Sequence, residues 1–345
     1  VAIELGSSKM TGIAGRKNPD GSISILAVAK EDSASYIRKG VAYNIERTAQ
    51  GLSNIVSKLK NTLKTEIEQV YVGIGGQSIH SVKNSIVKEL PLDCIVSQDM
   101  VNELMDTNRS MEYKDCEILD AITQEYNVDG HYEDDPVGIQ ARHLEGNFLN
   151  VLWRRSFYRN LNKSLDNSGI KVAEMYLAPL TMADCVLTDA EKRAGCVLVD
   201  LGADTTTVSV YYRNKLRHIA VLPLGGSNVT KDLESLQIDE INAEAMKLKH
   251  ASALTNEKDI DADATLPIGD GRTIPSRMFI QVVEARMLEI VENVKYLVPH
   301  EFADKLLGGI VLTGGGSNMK NVDKLFHEVF DVEKVRIAKS TTLNI

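Results

Sequence analysis

Apolar and polar positions along the chain follow two periodicities, one typical of strands and one typical of helices. Short apolar runs rich in β-branched residues, such as 70–76 and 195–200, predict buried strands. Apolar residues spaced three and four positions apart predict amphipathic helices over 49–63 and 276–297, and the second is the longest in the chain. Because strands and helices alternate, the pattern predicts an α/β fold.

This regular alternation is interrupted in the middle of the first half. Strand-like segments and one polar helix follow each other from about residue 83, and a second helix ends at the glycine at position 169. The change predicts a small α+β insert. We therefore divide the chain into a first lobe over 1–82, its insert over 83–168, a return over 169–194, the core of a second lobe over 195–224, an outer part over 225–305 and a closing segment over 306–345.

A strand–turn–strand pattern occurs twice, once at the start of each half. Residues 2–13 align without a gap with residues 198–209, so that Glu4 matches Asp200 and Gly6 matches Gly202. Glycine lets backbone N–H groups approach phosphate oxygens, and an acidic residue at a strand end can hold Mg²⁺ through water. A single turn of this kind is more often an ordinary β-hairpin. Two copies predict two related lobes that close on one nucleotide from opposite sides.

A third glycine-rich turn, Gly314–Gly316, follows the apolar strand 309–313. Three successive glycines permit close approach of the backbone to a flat or charged ligand, although tight packing alone accounts for many such turns. Since this turn comes after two hairpins of the phosphate type, we interpret it as the adenosine side of the same cleft.

Composition and charge narrow the class of protein. A formal net charge of −9 and a pI near 5.4, with no basic stripe, argue against nucleic acid as the main partner. The four cysteines form no C-x-x-C pair and have no histidine at metal spacing, which favours a reducing cytoplasm and argues against structural zinc. No apolar run approaches the length that crosses a bilayer, so we expect a protein that is neither secreted nor membrane-spanning. The first residue is Val1, which suggests a trimmed terminus.

Three motifs resemble those of the superfamily that contains actin, sugar kinases and heat-shock chaperones. Glu4–Ser8, Asp200–Thr206 and Leu312–Ser317 resemble its phosphate 1, phosphate 2 and adenosine motifs. Further stretches are similar to the FtsA family of bacterial cell-division proteins, namely 72–79, 126–130 with 136–138, 177–180 and 284–286. The resemblance covers nearly the whole chain. It implies an actin-like (ribonuclease H-like) two-lobed fold, in which the first lobe is subdomain 1A with insert 1C and the second lobe is 2A with 2B.

The resemblance also implies that ATP and Mg²⁺ bind between the lobes. It places Glu4 and Asp200 at the metal and its water. The residues that it places against the nucleotide are Gly6, Ser7, Ser8 and Lys9 on one side, Gly202, Asp204, Thr205 and Thr206 on the other, Glu244 and Lys247 at the ribose or adenine, and Gly314, Gly315, Gly316 and Ser317 around the nucleoside. The spacing of Glu244 and Lys247 is equally that of an ion pair along one helix.

The chain departs from the superfamily pattern at three positions. Glu4 stands where an aspartate is usual, and its extra methylene can shift the metal water. Asp204 and Thr207 stand where many relatives have glycine and aspartate, so that an extra negative charge lies near the phosphates and weakens binding. No carboxylate or histidine identifies itself as a catalytic base, and we expect at most a slow ATPase.

The FtsA resemblance implies partners as well. The family binds the C-terminal peptide of the tubulin-like ring protein FtsZ on subdomain 2B, where we place Arg286, with weaker support for Asn293 and Arg277. An arginine that covers its own core is the alternative for Arg286. The family also implies self-association into filaments, contacts with other division proteins through subdomain 1C, and membrane attachment through a C-terminal amphipathic helix not in this chain. The last residues, 338–345, suggest either a truncation or a join across missing residues.

We therefore expect a cytoplasmic, actin-like ATP-binding protein that polymerises, tethers the FtsZ ring to the inner face of the membrane at the division site and recruits other division proteins. Two alternatives remain open. A sugar or small-molecule kinase of the same superfamily needs an acidic base and a sugar pocket, and the sequence reveals neither. A pilus-assembly actin homologue shares the insert and binds a different peptide.

Overall fold

A computed structural model describes residues 1–339 and the backbone of residues 343–344. These residues form nineteen strands and nine α-helices. The strands are β1 Ala2–Leu5, β2 Lys9–Lys17, β3 Ile23–Asp32, β4 Ile37–Arg38, β5 Val41–Ala42, β6 Val70–Ile74, β7 His80–Glu89, β8 Cys116–Val128, β9 His131–Glu133, β10 His143–Arg154, β11 Val172–Leu177, β12 Cys196–Leu201, β13 Thr206–Tyr212, β14 Lys215–Leu222, β15 Thr265–Pro267, β16 Thr273–Pro275, β17 Gly309–Thr313, β18 Val335–Ile337 and β19 Leu343–Asn344. The helices are α1 Ile45–Leu63, α2 Gln98–Arg109, α3 Arg155–Ser168, α4 Ala178–Val186, α5 Asp189–Ala194, α6 Gly226–Glu234, α7 Glu240–His250, α8 Ser276–Leu297 and α9 Val322–Phe330.

Two sheets with the same internal order form the centres of the two lobes. The first sheet has the order β11-β6-β1-β2-β3-β19, and the second has the order β14-β13-β12-β17-β18. In each sheet the central strand pairs antiparallel with the strand that follows it and parallel with a later strand across a helical connection. The two predicted hairpins therefore occupy equivalent central positions. The predicted two-lobed α/β fold is confirmed.

The predicted amphipathic helices bury the stripes that the sequence pattern indicates. Helix α1 starts at the cap residue Asn44, whose side chain accepts a hydrogen bond from the N–H of Arg47. It buries Leu52 and Ile55 so tightly on β2 that a Cβ at Gly12 would stand 2.4 Å from the Cγ2 of Ile55. Helix α8 has the predicted bounds, and its apolar stripe, Phe279, Val283, Met287, Ile290 and Val294, is buried in the second lobe. No helix in the described part of the chain is both long and apolar enough to cross a membrane.

The insert has its own sheet, β7-β10-β8-β9, with α2 packed against it. A separate small core around Leu104, Leu144 and Phe148 holds this unit together. Helix α3, which the predicted boundary at residue 168 places in the insert, packs against α1 and contributes Leu161 and Leu165 to the core of the first lobe.

The insert also touches the second lobe, since β7 and β10 contact β14. The N–H of Ile219 donates to the Ser81 hydroxyl over 3.0 Å. The guanidinium of Arg217 binds the Glu125 carboxylate with two hydrogen bonds of 2.5 and 2.7 Å, and only 10% of the Arg217 side chain is exposed. The insert is therefore held against the second lobe by backbone and side-chain hydrogen bonds.

Candidate functional site

The two repeated hairpins place a glycine turn at the end of each central strand. A Cβ on Gly6 would stand 2.4 Å from the carbonyl oxygen of Lys9, so this turn admits only glycine without rearrangement. In the second hairpin the N–H of Gly202 donates to the carbonyl of Thr205 over 2.9 Å. A Cβ there would stand 2.9 Å from the same oxygen. Both turns are tight because their backbones close on themselves.

Glu4 and Asp200 come from the two central strands, and they lie close enough for the charge of Glu4 to act on Asp200. Burial, and to a smaller extent the negative charge of Glu4, raises the pKa of Asp200 to about 6. Burial also raises the pKa of Glu4, although part of its surface stays open to solvent. The two carboxylates together form a site of excess negative charge, which a divalent cation would neutralise.

The carboxylate pair fits Mg²⁺ better than a metal that needs a full set of protein ligands. Among the described residues there is no group of three or more His, Cys, Asp or Glu side chains that could hold a metal ion. Mg²⁺ is commonly held by one or two carboxylates together with waters and substrate phosphates. Glu4 and Asp200 match that requirement.

Replacing Asp200 with asparagine should stabilise the protein near pH 7. The folded carboxyl has a pKa of about 6 and an ordinary value of 3.8, so wild-type stability falls as the pH rises through this interval. Chemical unfolding at pH 7 should show the Asn variant to be more stable by about 1–3 kcal/mol. The gain should vanish near pH 3.5, where the carboxyl is protonated in both states. An exposed control, Asp304→Asn, should show no such pH-dependent gain, and an Asp200→Asn variant that is less stable at both pH values contradicts the expectation.

The third glycine turn lies beside this carboxylate pair because β17 runs parallel to β12. Gly314 has a φ of +84°, and a Cβ on it would stand 2.4 Å from Asp200 Oδ1. A Cβ on Gly316 would stand 2.8 Å from the Cβ of Leu201. The hydroxyl of the buried Ser317 donates to the carbonyl of Gly314 over 2.6 Å. Nothing lies within 4 Å of a Cβ built on Gly315. Gly315 therefore borders open space, whereas its neighbours shape the turn.

The hydroxyl residues of the two hairpins have different environments. Thr206 is fully buried and donates to the carbonyl of Leu224 over 2.9 Å, which gives it a structural role. Thr205 is only partly buried in the turn, and Ser8 is exposed. The hydroxyl of Ser7 accepts a hydrogen bond of 2.8 Å from the N–H of Gly40.

Two charged residues of the hairpins also have partners. Lys9 is exposed and forms a long ion pair of 3.6 Å with Asp32. Asp204 accepts one hydrogen bond from the N–H of Lys39 and another from the hydroxyl of Ser227. The sequence interpretation did not identify Lys39 or Ser227 as parts of this site. The Lys39-Gly40 pair is a sequence signal for a two-residue hairpin turn, and this signal could have drawn attention to Lys39.

Helix α6 starts next to the turn of the second hairpin. The N–H of Gly226 donates to the carbonyl of Gly202 over 2.9 Å. Glu244 and Lys247 form the ion pair that their spacing predicts, with 2.7 Å between Lys247 Nζ and Glu244 Oε2. Lys247 Nζ also donates to the carbonyl of Gly226 over 3.2 Å. The ion pair therefore lies at the start of α6, next to the turn of the second hairpin. Its contact with a nucleoside stays a prediction.

The predicted peptide-binding cation on α8 already has anionic partners. The guanidinium of Arg286 binds both carboxylate oxygens of Asp232, over 2.6 and 3.0 Å, and Glu289 over 2.7 Å. The side-chain amide of Asn293 donates to the backbone carbonyl of Glu289. Arg277 is exposed and has no ion-pair partner within residues 1–339. An acidic ligand at Arg286 would have to displace Asp232.

Comparisons with known proteins agree with this architecture. Residues 197–344 match the family model "Cell division protein FtsA", and residues 76–152 match "SHS2 domain inserted in FTSA". The cell division protein FtsA of Porphyromonas gingivalis is 32% identical, over 99% of this chain and 74% of the relative. The FtsA of Escherichia coli K12 is 27% identical, over 98% of this chain and 83% of the relative.

Solved structures of lower identity share the fold. A PilM–PilN type IV pilus biogenesis complex has a TM-score of 0.66 at 13% identity, covering 99% of this chain and 89% of that chain. MreB5 of Spiroplasma citri bound to ADP has a TM-score of 0.57 at 14% identity, covering 98% of this chain and 91% of that chain. These similarities establish an actin-like fold with an inserted domain in the first lobe.

Proposed function

The chain belongs to the FtsA family of bacterial cell-division proteins, and from this premise we propose that it is an actin-like, ATP-binding protein that polymerises and tethers the FtsZ ring to the cytoplasmic membrane. Family membership favours this role over a sugar kinase or a pilus-assembly protein. The observation that carries the nucleotide part of the proposal is the presence of two equivalent hairpins, one in each lobe. Their acidic residues, Glu4 and Asp200, are close enough for their charges to interact.

In this proposal ATP lies between the lobes with its phosphates at the two glycine turns. Glu4 and Asp200 hold Mg²⁺ and its waters, and the metal supplies charge neutralisation for the phosphates. Ser7, Ser8 and Thr205 provide donors, and the open side of Gly315 accommodates the nucleoside. MreB5, which shares this fold and was solved bound to ADP, supports nucleotide binding by this chain. ATP serves here as a conformational ligand that is hydrolysed slowly, if at all.

Isothermal titration with ATP and Mg²⁺ tests the nucleotide part directly. Wild-type protein should bind, and Glu4→Gln together with Asp200→Asn should remove the dependence of binding on Mg²⁺. The exposed control Asp304→Asn should bind as wild type does. Absence of ATP binding by wild-type protein would refute this part of the proposal.

Self-association into filaments is the second part. MamK, another protein of this fold, forms a double helical filament and has a TM-score of 0.51 with this chain. Negative-stain electron microscopy with ATP and Mg²⁺, at several protein concentrations, should show filaments. Particles that stay monomeric at every concentration would contradict it.

We place the FtsZ peptide on α8, beside α6. The tail peptide's carboxylates would exchange with Asp232 at Arg286. Arg277 is exposed at the start of the helix, nine residues before Arg286 and about 180° around α8 from it, so only a peptide that crosses over the helix would reach both. Titration with a peptide of the FtsZ C-terminus should show weaker binding for Arg286→Ala and Arg277→Ala. An arginine elsewhere on the surface, Arg213, gives the matched control. Unchanged binding in both variants would remove the peptide from α8.

For other division proteins we propose the junction between the insert and the first lobe. A cavity of about 530 Å³ lies there, between β8 and the edge strand β11. Its lining includes the carboxylates of Glu117, Asp120, Glu174 and Asp184. The chemistry of this surface suits a basic, extended segment of a partner.

A further inference from the structure

A small hairpin of the first lobe, β4–β5, inserts its turn between the two glycine turns. Lys39 and Gly40 form this turn, with φ values of 49° and 75°. The N–H of Gly40 donates to the hydroxyl of Ser7, and the carbonyl of Lys39 accepts from the N–H of Gln77 over 2.8 Å. A Cβ on Gly40 would stand 2.4 Å from the Cα of Gly76. The position of the turn is therefore fixed by backbone contacts within the first lobe.

Asp204 connects this turn to the second lobe. Its Oδ2 accepts a hydrogen bond of 3.1 Å from the N–H of Lys39, and its Oδ1 accepts one of 2.7 Å from the hydroxyl of Ser227. Lys39 and Asp204 are 165 residues apart and belong to different lobes. Ser227 lies in the first turn of α6, and its own N–H donates to the carbonyl of Ala203 over 2.7 Å. One carboxylate thus spans the cleft between the hairpins.

The donors that Asp204 uses are of the kind that bind phosphate. Backbone N–H groups of turns and hydroxyls at helix starts are common phosphate ligands in proteins. A carboxylate presents two anionic oxygens to such donors, much as a phosphate does. A phosphate placed between Ser7 and Thr205 would also bring a second negative charge close to Asp204, and like charges at short range repel.

We propose that Asp204 is an internal anion that competes with the nucleotide phosphates and holds the two lobes together when no nucleotide is bound. The inference rests on the nucleotide binding proposed above. Each nucleotide that enters must displace the carboxylate from Lys39 and Ser227. Asp204 therefore lowers the affinity for nucleotide and couples nucleotide entry to release of the contact between the lobes.

Titration of ATP with Mg²⁺ into charge-matched variants tests the competition. Asp204→Asn should bind at least about tenfold more tightly than wild type, since a charge-assisted hydrogen bond contributes about 1.5 kcal/mol or more. The control Asp304→Asn removes the same charge from an exposed position and should leave the affinity unchanged.

The outcomes separate this inference from the nucleotide-binding proposal. Equal affinity of wild type and Asp204→Asn overturns the competition while nucleotide binding stands. Weaker binding by Asp204→Asn also overturns it, because Asp204 would then be a ligand of the nucleotide or its metal. Binding by no variant at all refutes nucleotide binding, and the inference with it.

Amide hydrogen exchange of the nucleotide-free protein gives a readout that needs no ligand. In Asp204→Ala the Lys39 amide should exchange at least about threefold faster than in wild type, because it loses its acceptor. The Gly40 amide, which is bonded to Ser7, should keep its rate. Ser227→Ala provides a second, milder variant, in which a smaller acceleration at Lys39 is expected. An unchanged Lys39 rate in the folded Ala variant overturns the contact itself.

Discussion

Replacing Gly314 with alanine should lower the free energy of unfolding by about 2–4 kcal/mol, whereas the same change at the adjacent Gly315 should leave it nearly unchanged. The two glycines differ in what surrounds them. A Cβ on Gly314 would stand 2.4 Å from Asp200 Oδ1 and 2.6 Å from the carbonyl oxygen of Leu201, and the φ of +84° disfavours any L side chain. A Cβ on Gly315 meets nothing within 4 Å.

The same pair of variants distinguishes an effect on the stability of the turn from an effect on ATP binding. If the open space beside Gly315 accommodates a nucleoside, Gly315→Ala should weaken ATP binding while thermal and chemical unfolding stay close to wild type. Gly314→Ala should lose both stability and affinity for ATP, because the turn and the neighbouring Asp200 must move together. Equal destabilisation by the two changes, measured by urea unfolding, would contradict the difference in their environments. Normal ATP affinity in Gly315→Ala would place the nucleoside elsewhere.

The central parts of the fold and site could be predicted because their signals are local or repeated. The alignment of 2–13 with 198–209 predicted two equivalent hairpins, and β-sheet pairing puts each at the centre of its sheet. The triple glycine followed an apolar strand, and the parallel pairing of β12 with β17 brings it to Asp200. In each case a short stretch of sequence determines its own local conformation, and the pairing of strands in the sheet brings the stretches together.

The parts that could not be predicted depend on pairs that are distant in sequence. The sequence pattern predicts that Arg286 is a cation available to a peptide, but Asp232, 54 residues earlier, binds its guanidinium. The partner of Asp204 in the other lobe is the backbone N–H of Lys39, and a backbone N–H has no sequence signature. Helix α3 looks like part of the insert because it follows the insert's last strand, yet its apolar residues fit against α1. Such contacts form only once segments that are distant in sequence are folded against each other.

The contact between the insert and the second lobe leads to the other large expected effect. Arg217→Met should lower the free energy of unfolding by about 3 kcal/mol, because it leaves the Glu125 carboxylate without its cation at a largely buried position. The side chains of Arg217 and Glu125 are 10% and 23% exposed. The matched control is Lys83→Met, which breaks another ion pair between the insert and the second lobe. Lys83 and its partner Glu301 are 67% and 48% exposed, so we expect a loss below about 1 kcal/mol.

Acid titration provides the independent check on the Arg217–Glu125 pair. The hydrogen bonds from Arg217 lower the pKa of Glu125 from 4.5 to about 2. A lowered carboxyl pKa contributes stability that is present above pH 4.5 and is lost as the pH falls toward 2. Wild-type protein should therefore lose stability over this interval by more than Glu125→Gln does, when both are followed by chemical unfolding at successive pH values. A double-mutant cycle between Arg217→Met and Glu125→Gln should give a coupling that disappears near pH 2. Parallel pH profiles for wild type and Glu125→Gln would show that the pair does not hold the insert against the second lobe.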